Sequence, residues 1–196
     1  MTPGPREHAP VDVHLRRPSD DDLARLLARC KDDVLTYAPT GCTLDGTTPA
    51  GLTRREWNTT FASGHDYALA VDALSHWKVQ EHAGLVVRSH GAMAVGTNVA
   101  MSARLPIGFI DVTCRVVAIV DEPDRFGFAY GTLSVHPERG EEAFVVTRSA
   151  DDFRFDITAV SRPASRLASV ASPVANRLQA AATQRYLRAM DLLTRR

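Results

Sequence analysis

From residue 85 onward, apolar and polar positions along the chain alternate with a period of two. That is the signature of strands with one dry face. Six such stretches follow one another, at 85–89, 97–105, 108–120, 125–135, 141–149 and 153–160, and the breaks between them carry Gly, Pro or Asp. Those breaks have the turn chemistry of an antiparallel meander. The stretch 108–120 alternates most cleanly. Ile110, Val112, Cys114, Val116, Ala118 and Val120 fall on one face, and Phe109, Asp111, Thr113 and Arg115 on the other.

Upstream the period is mixed. Ser19 begins a helix, because its side chain can accept from first-turn amides and Asp20, Asp21 and Asp22 suit the positive end of the dipole. Leu23, Leu26, Leu27 and Cys30 then share one helical face. Residues 37–51, rich in Gly, Thr and Pro, read as a loop. Residues 54–62 read as a strand with Trp57 and Phe61 on one side, and 65–77 as a helix with Ala70, Leu74 and Trp77 buried. Residues 1–12 hold three prolines and are expected to be a flexible tail, leaving a single domain over 13–196.

At the other end, Pro163 cannot donate to a ladder, so the last strand is expected to stop there. Ser172 and Pro173 then open a long helix as cap and first helical residue. Its apolar face carries Val174, Leu178, Ala181, Ala182, Leu187 and Met190, with Gln179, Arg185 and Tyr186 placing polar atoms near it. The element order predicts an α+β fold. A curved antiparallel sheet of about six to seven strands wraps around the long C-terminal helix, with an extra N-terminal helix. Sheet curvature opens space beneath such a helix, so a largely apolar cavity is expected there.

Composition narrows the function classes. The 196 residues hold 23 Lys plus Arg and 23 Asp plus Glu, a formal charge of zero, where a nucleic-acid binder would show a basic excess. No apolar run approaches the roughly 18 residues of a bilayer span, so membrane insertion is not expected. The first residues lack an apolar signal core, which points to a cytoplasmic protein. Cys30, Cys42 and Cys114 are scattered and read as buried thiols. The chain has no Gly-x-Ser-x-Gly elbow, phosphate loop or dinucleotide fingerprint, and no cofactor is expected. The sequence leaves a homodimer open.

Candidate chemistry concentrates at 127–142, GFAYGTLSVHPERGEE, which reads as strand, turn and strand. On the first strand Phe128, Tyr130 and Thr132 share a face that could line the cavity. His136 would sit near its mouth. Glu138, Glu141 and Glu142 crowd one turn, where repulsion and desolvation could raise at least one carboxyl pKa. A His and a Glu within reach can move a proton. The alternative is that these residues simply tie a hairpin turn. Imidazole plus carboxylates is an acceptable metal set, but the spacing matches no established site and no metal is expected. Arg162 could bind an anionic group, or lock the turn through Glu141 or Glu142. Gln179, Arg185 and Tyr186 could orient a ligand, or bond to strand carbonyls.

Two readings of function follow, beside a third in which the domain is purely structural or partner-binding and its core is filled. One is a binding protein for a hydrophobic small molecule, with Phe128, Thr132, Gln179, Arg185 and Tyr186 as contacts. The other is a cofactor-free enzyme in the same cavity performing cyclisation, isomerisation, dehydration or hydrolysis. Tyr130, His136, Glu138, Glu142 and Arg162 would then be catalytic, with Tyr130 or Arg162 stabilising oxyanion charge.

The element order is similar to that of the helix-grip proteins, which include pollen allergens, START domains and aromatic polyketide cyclases. A closer likeness lies in the residues. FGFAYGTL at 126–133, His136-Pro137-Glu138, GEEAFVV at 140–146, Ser161-Arg162-Pro163, Gln179 and Arg185-Tyr186-Leu187 together resemble the family named domain of unknown function 1990. Tyr37, Gly41, Trp77, Gly96 and Val99 extend that likeness over roughly residues 35–192. It implies a fold and a pocket rather than an activity.

Overall fold

The computed structural model describes residues 13–62, 64–164 and 172–196, with side chains of the final helix described from residue 180. The predicted tail at 1–12 lies outside the described residues. In chain order the elements are β1 (Val13–His14), α1 (Asp20–Arg29), α2 (Cys42–Asp45), β2 (Thr53–Phe61), α3 (Tyr67–Ser75) and α4 (Lys78–His82). Then come β3 (Val86–Ser89), β4 (Asn98–Arg104), β5 (Phe109–Glu122), β6 (Arg125–Thr132), β7 (Glu138–Arg148), β8 (Phe153–Pro163) and α5 (Ser172–Thr194).

All strands join one antiparallel sheet in the order β2-β8-β7-β6-β5-β4-β3. The short β1 pairs with β5 at Phe109 and Ile110. From β3 to β8 each strand lies beside the next in sequence, as a meander requires. β2 closes the other edge against β8.

The sheet separates two apolar clusters. On one face Phe128, Phe144, Phe155 and Ile157 pack under α3, α4 and α5, with Trp77, Tyr186 and Met190. On the other, Leu23, Leu26 and Leu27 of α1 cover Ala100, Leu133 and Val135. The capping box that starts α1 is complete: the Asp22 amide donates to Ser19 Oγ, and the Asp22 carboxylate accepts from the Ser19 amide at 2.8 Å. Among the described residues, no helix is long and apolar enough to cross a membrane.

Four local departures from the sequence reading have physical causes. The expected helix over 65–77 ends two residues early. Trp77 takes φ 60, and α4 follows it as a separate turn. Positive φ is unfavourable for so bulky a residue, and packing of its ring 5.0 Å from Phe128 holds it there. The loop at 37–51 contains α2, a four-residue turn bounded by Gly41 and Gly46, both at positive φ. The alternation of β5 breaks at a bulge between Val116 and Ala118. Beyond it Ile119, rather than Ala118 or Val120, packs against the core.

Lastly, β7 begins at Glu138 and β8 runs on to Pro163, its partner in the ladder. The alternation predicts a start of β7 at 141, three residues later, while the end of β8 at Pro163 is where the proline is expected to stop it. Gly140 makes the extension possible. A Cβ there would lie 2.1 Å from the Val160 carbonyl oxygen, so only glycine lets the strands approach this closely.

Candidate ligand-binding site

A cavity of about 710 Å³ lies between the sheet and α5. One wall is apolar, built from Leu85, Met101, Ile110 and Val112. These side chains share one face because β4 and β5 alternate in register, with Met101 opposite Val112. The other wall is polar and comes from the β6–β7–β8 ladder. Tyr130, Thr132, Glu138 and Glu142 line it, and Ser161 stands beside them.

Glu142 is the chemical centre of that wall. In the ladder it stands opposite Tyr130 on one side and the small Ala159 on the other. The Tyr130 hydroxyl donates to Glu142 Oε2 at 2.7 Å. Glu142 keeps partial accessibility because it faces the cavity, while protein surrounds it elsewhere. Burial therefore pushes its carboxyl pKa up to about 7. The Tyr130 hydrogen bond pulls it down, and the charge on Glu138 pushes it further up. The expectation of a raised carboxyl in this segment thus falls on Glu142. Burial and the Glu142 charge hold the Tyr130 phenol well above its ordinary range. Tyr186, reaching in from α5, is raised by the same two causes.

The neighbouring groups are held by short local bonds. Ser161 Oγ donates to Glu138 Oε2 at 2.7 Å. The Glu138 amide donates to His136 Nδ1 at 3.0 Å, and the same nitrogen lies 3.1 Å from the Glu138 carbonyl oxygen. The Gly140 amide donates to the Thr132 hydroxyl at 3.0 Å, and that hydroxyl also bonds the Thr36 hydroxyl. Arg185 and Arg104 line the cavity but are exposed.

The sequence therefore brings Tyr130, Thr132, His136, Glu138, Glu142, Arg185 and Tyr186 to one cavity. Two expected residues go elsewhere. Phe128 is fully buried among Trp77, Tyr130 and Phe144, so it backs the wall without lining it. Arg162 is exposed and sits between Ser161 and Pro163, which line the cavity, so alternation turns it to the opposite face. It locks neither neighbouring glutamate. The side chain of Gln179 lies outside the described residues.

Glu141 is also not at the turn. It borders the cavity, but its carboxylate turns to the opposite face, where it is buried and accepts from the Tyr37 hydroxyl, the Gly41 amide at 2.8 Å, the Thr43 amide at 3.0 Å and the Thr43 hydroxyl. Those bonds fasten the 37–43 loop over β6. A Cβ at Gly131 would lie 2.6 Å from the Tyr37 ring, so glycine is what admits that ring.

The sequence reading missed the apolar wall residues Met101 and Ala103 and the hydroxyl of Ser161. Alternation within β4 and β8 was a signal for all three. Nothing local could say which face held the cavity. Among the described residues, no group of three His, Cys, Asp or Glu side chains is placed to hold a metal ion.

Comparison with known proteins agrees with this geometry. A UPF0548 protein of Deinococcus radiodurans is 32% identical over 196 residues, covering 89% of this chain and 94% of that protein. Among solved structures, the hypothetical protein jhp0584 from Helicobacter pylori superposes with a TM-score of 0.56. It is 13% identical and covers 83% of this chain and 97% of that one. Human STARD10 superposes with a TM-score of 0.51 at 13% identity, covering 89% of this chain and 80% of that one. The fold is a helix-grip fold. The family model described as Domain of unknown function (DUF1990) matches residues 36–189, and the chain belongs to that family.

Proposed function

We propose that this protein binds a hydrophobic small molecule between its sheet and its C-terminal helix. The observation that carries the reading is the cavity of about 710 Å³ with one apolar wall and one hydrogen-bonding wall. That is the ordinary anatomy of a small-molecule site, where the apolar area supplies affinity and a few polar groups fix orientation. The helix-grip architecture supports the same reading.

Native mass spectrometry of the purified protein, followed by a denaturing run, tests it. The expected result is a bound apolar molecule that is released on unfolding. Binding of a fluorescent apolar dye supplies a second readout. The substitution Ala103→Trp places a ring in the cavity and should abolish dye binding with the fold intact. A wild-type protein that takes up neither metabolite nor dye would sink the proposal. So would an Ala103→Trp protein that binds as well as wild type.

A second reading rests on Glu142. A buried carboxyl that ionises at about 7, hydrogen-bonded to a tyrosine and facing a cavity, suits a general acid or base. The activity would be cofactor-free cyclisation, isomerisation, dehydration or hydrolysis of a hydrophobic substrate. His136 and Glu138 would stand at the same wall. Glu142→Gln would then remove turnover of a neutral substrate and leave its affinity nearly unchanged. Equal loss of both would argue against catalysis.

A further inference from the structure

The polar wall of the cavity has a one-sided hydrogen-bond inventory. Tyr130 commits its hydroxyl hydrogen to Glu142 Oε2. Ser161 commits its own to Glu138 Oε2. The Thr132 oxygen already receives the Gly140 amide. Glu142 Oε1 makes no hydrogen bond to a described residue. What this strand wall offers a guest at Glu142 is chiefly lone pairs on carboxylate oxygens, so a guest that reaches it must donate; the Tyr186 hydroxyl comes from α5, in the opposite layer.

Charge points the same way. The groups that face Glu142 are Tyr130 from β6, Glu138 from its own strand, Cys114 from β5 and Tyr186 from α5. None of them is a cation. His136 lines the cavity from the turn before β7, and the two arginines that line it, Arg104 and Arg185, are exposed. So the carboxylate has no described positive partner in the cavity, where a low dielectric makes such a partner most effective.

We propose that the cavity is a site for a hydrophobic amine. The ligand's protonated nitrogen would pair with Glu142, and its hydrocarbon body would lie against Met101, Ile110 and Val112. The inference rests on the binding reading given above and specifies the class of ligand. At Glu142 itself a carbonyl would need the carboxyl protonated as a donor, and a carboxylate would meet like charge from Glu138 and Glu142, while Arg104 and Arg185 are exposed.

The three classes differ in pH dependence. An amine binds the ionised Glu142, so its affinity rises with pH through about 7 and falls only as the amine itself deprotonates near ~10. A ketone would show the reverse trend through the same range. Ammonium pairing should raise affinity about tenfold for each unit by which it lowers the Glu142 pKa.

Isothermal titration calorimetry with decylamine, decanol, methyl octyl ketone and decanoate provides the test. It uses the full chain and its Glu142→Gln variant at about pH 6 and about pH 8, either side of the carboxyl midpoint. Decylamine is expected to bind the wild type about tenfold or more tightly than decanol at the higher pH. Glu142→Gln should erase that margin, with circular dichroism and the urea midpoint of the variant certifying the fold. If the variant does not fold, the rise of decylamine affinity with pH in the wild type remains an independent readout. A ketone or decanoate that outbinds decylamine overturns the amine inference alone, as does a margin that survives in the variant. Failure of all four compounds to bind overturns the cavity reading itself.

Discussion

Glu141 and Glu142 are the same side chain at adjacent positions of one strand, and the two faces of the sheet give them opposite lives. On the outer face, Glu141 is fully enclosed and accepts four hydrogen bonds from the 37–43 loop. On the cavity face, Glu142 accepts a single hydroxyl among the described residues, from Tyr130, and has Glu138 as a like-charged neighbour. The first carboxylate is solvated by protein dipoles and serves to hold a loop. The second is partly desolvated with one described donor in place of the lost water, so its proton is held up to about pH 7. Burial alone therefore does not decide what a carboxyl group does. What matters is whether the donors that replace water are present.

The comparison can be broken most forcefully at Glu141. Glu141→Ala would strand the Gly41 and Thr43 amides and free the loop. It should cost about 3–5 kcal/mol of stability in urea unfolding, since each unsatisfied buried donor costs about 1–3 kcal/mol. A loss below about 1 kcal/mol would mean the loop is held by something else.

Glu142 sharpens the contrast through pH. Its folded-state pKa, about 7, lies above its ordinary 4.5, so the folded state holds the extra proton between those values. Stability must therefore fall as pH rises through that window, by at most about 3 kcal/mol. Comparing wild type with Glu142→Gln at the two ends isolates this slope. The variant should gain on the wild type as pH rises, and a constant difference would count against the buried carboxyl.

Tyr130→Phe is subtler. It removes the described hydrogen bond that favours the Glu142 charge, so the carboxyl should titrate above about 7, read by carbon NMR of labelled glutamate. The stability cost should be about 1 kcal/mol. Arg162→Ala, on the outer face, should change stability by less than about 0.5 kcal/mol and leave dye binding untouched. A clear loss of binding would put Arg162 back at the cavity.

Much of this protein was legible from its residues alone. The period of two announced the meander, Ser19 announced the α1 cap, and Pro163 marked the end of β8. These are local facts, fixed by the backbone chemistry of a few consecutive residues. The candidate wall was also largely legible, because Tyr130, Thr132, Glu138 and Glu142 belong to one strand-turn-strand segment.

Only tertiary structure decided the rest. Which of two adjacent glutamates would meet the cavity depends on register. A one-residue shift exchanges the faces of a whole strand. The bulge near Val116 and the approach of β8 to Gly140 set that register, through contacts far apart in sequence. Phe128 and Tyr130 share a face, yet helix packing seals one and opens the other. Pattern assigns a side chain to a face, whereas the layer packed against that face decides whether it becomes core, latch or binding wall.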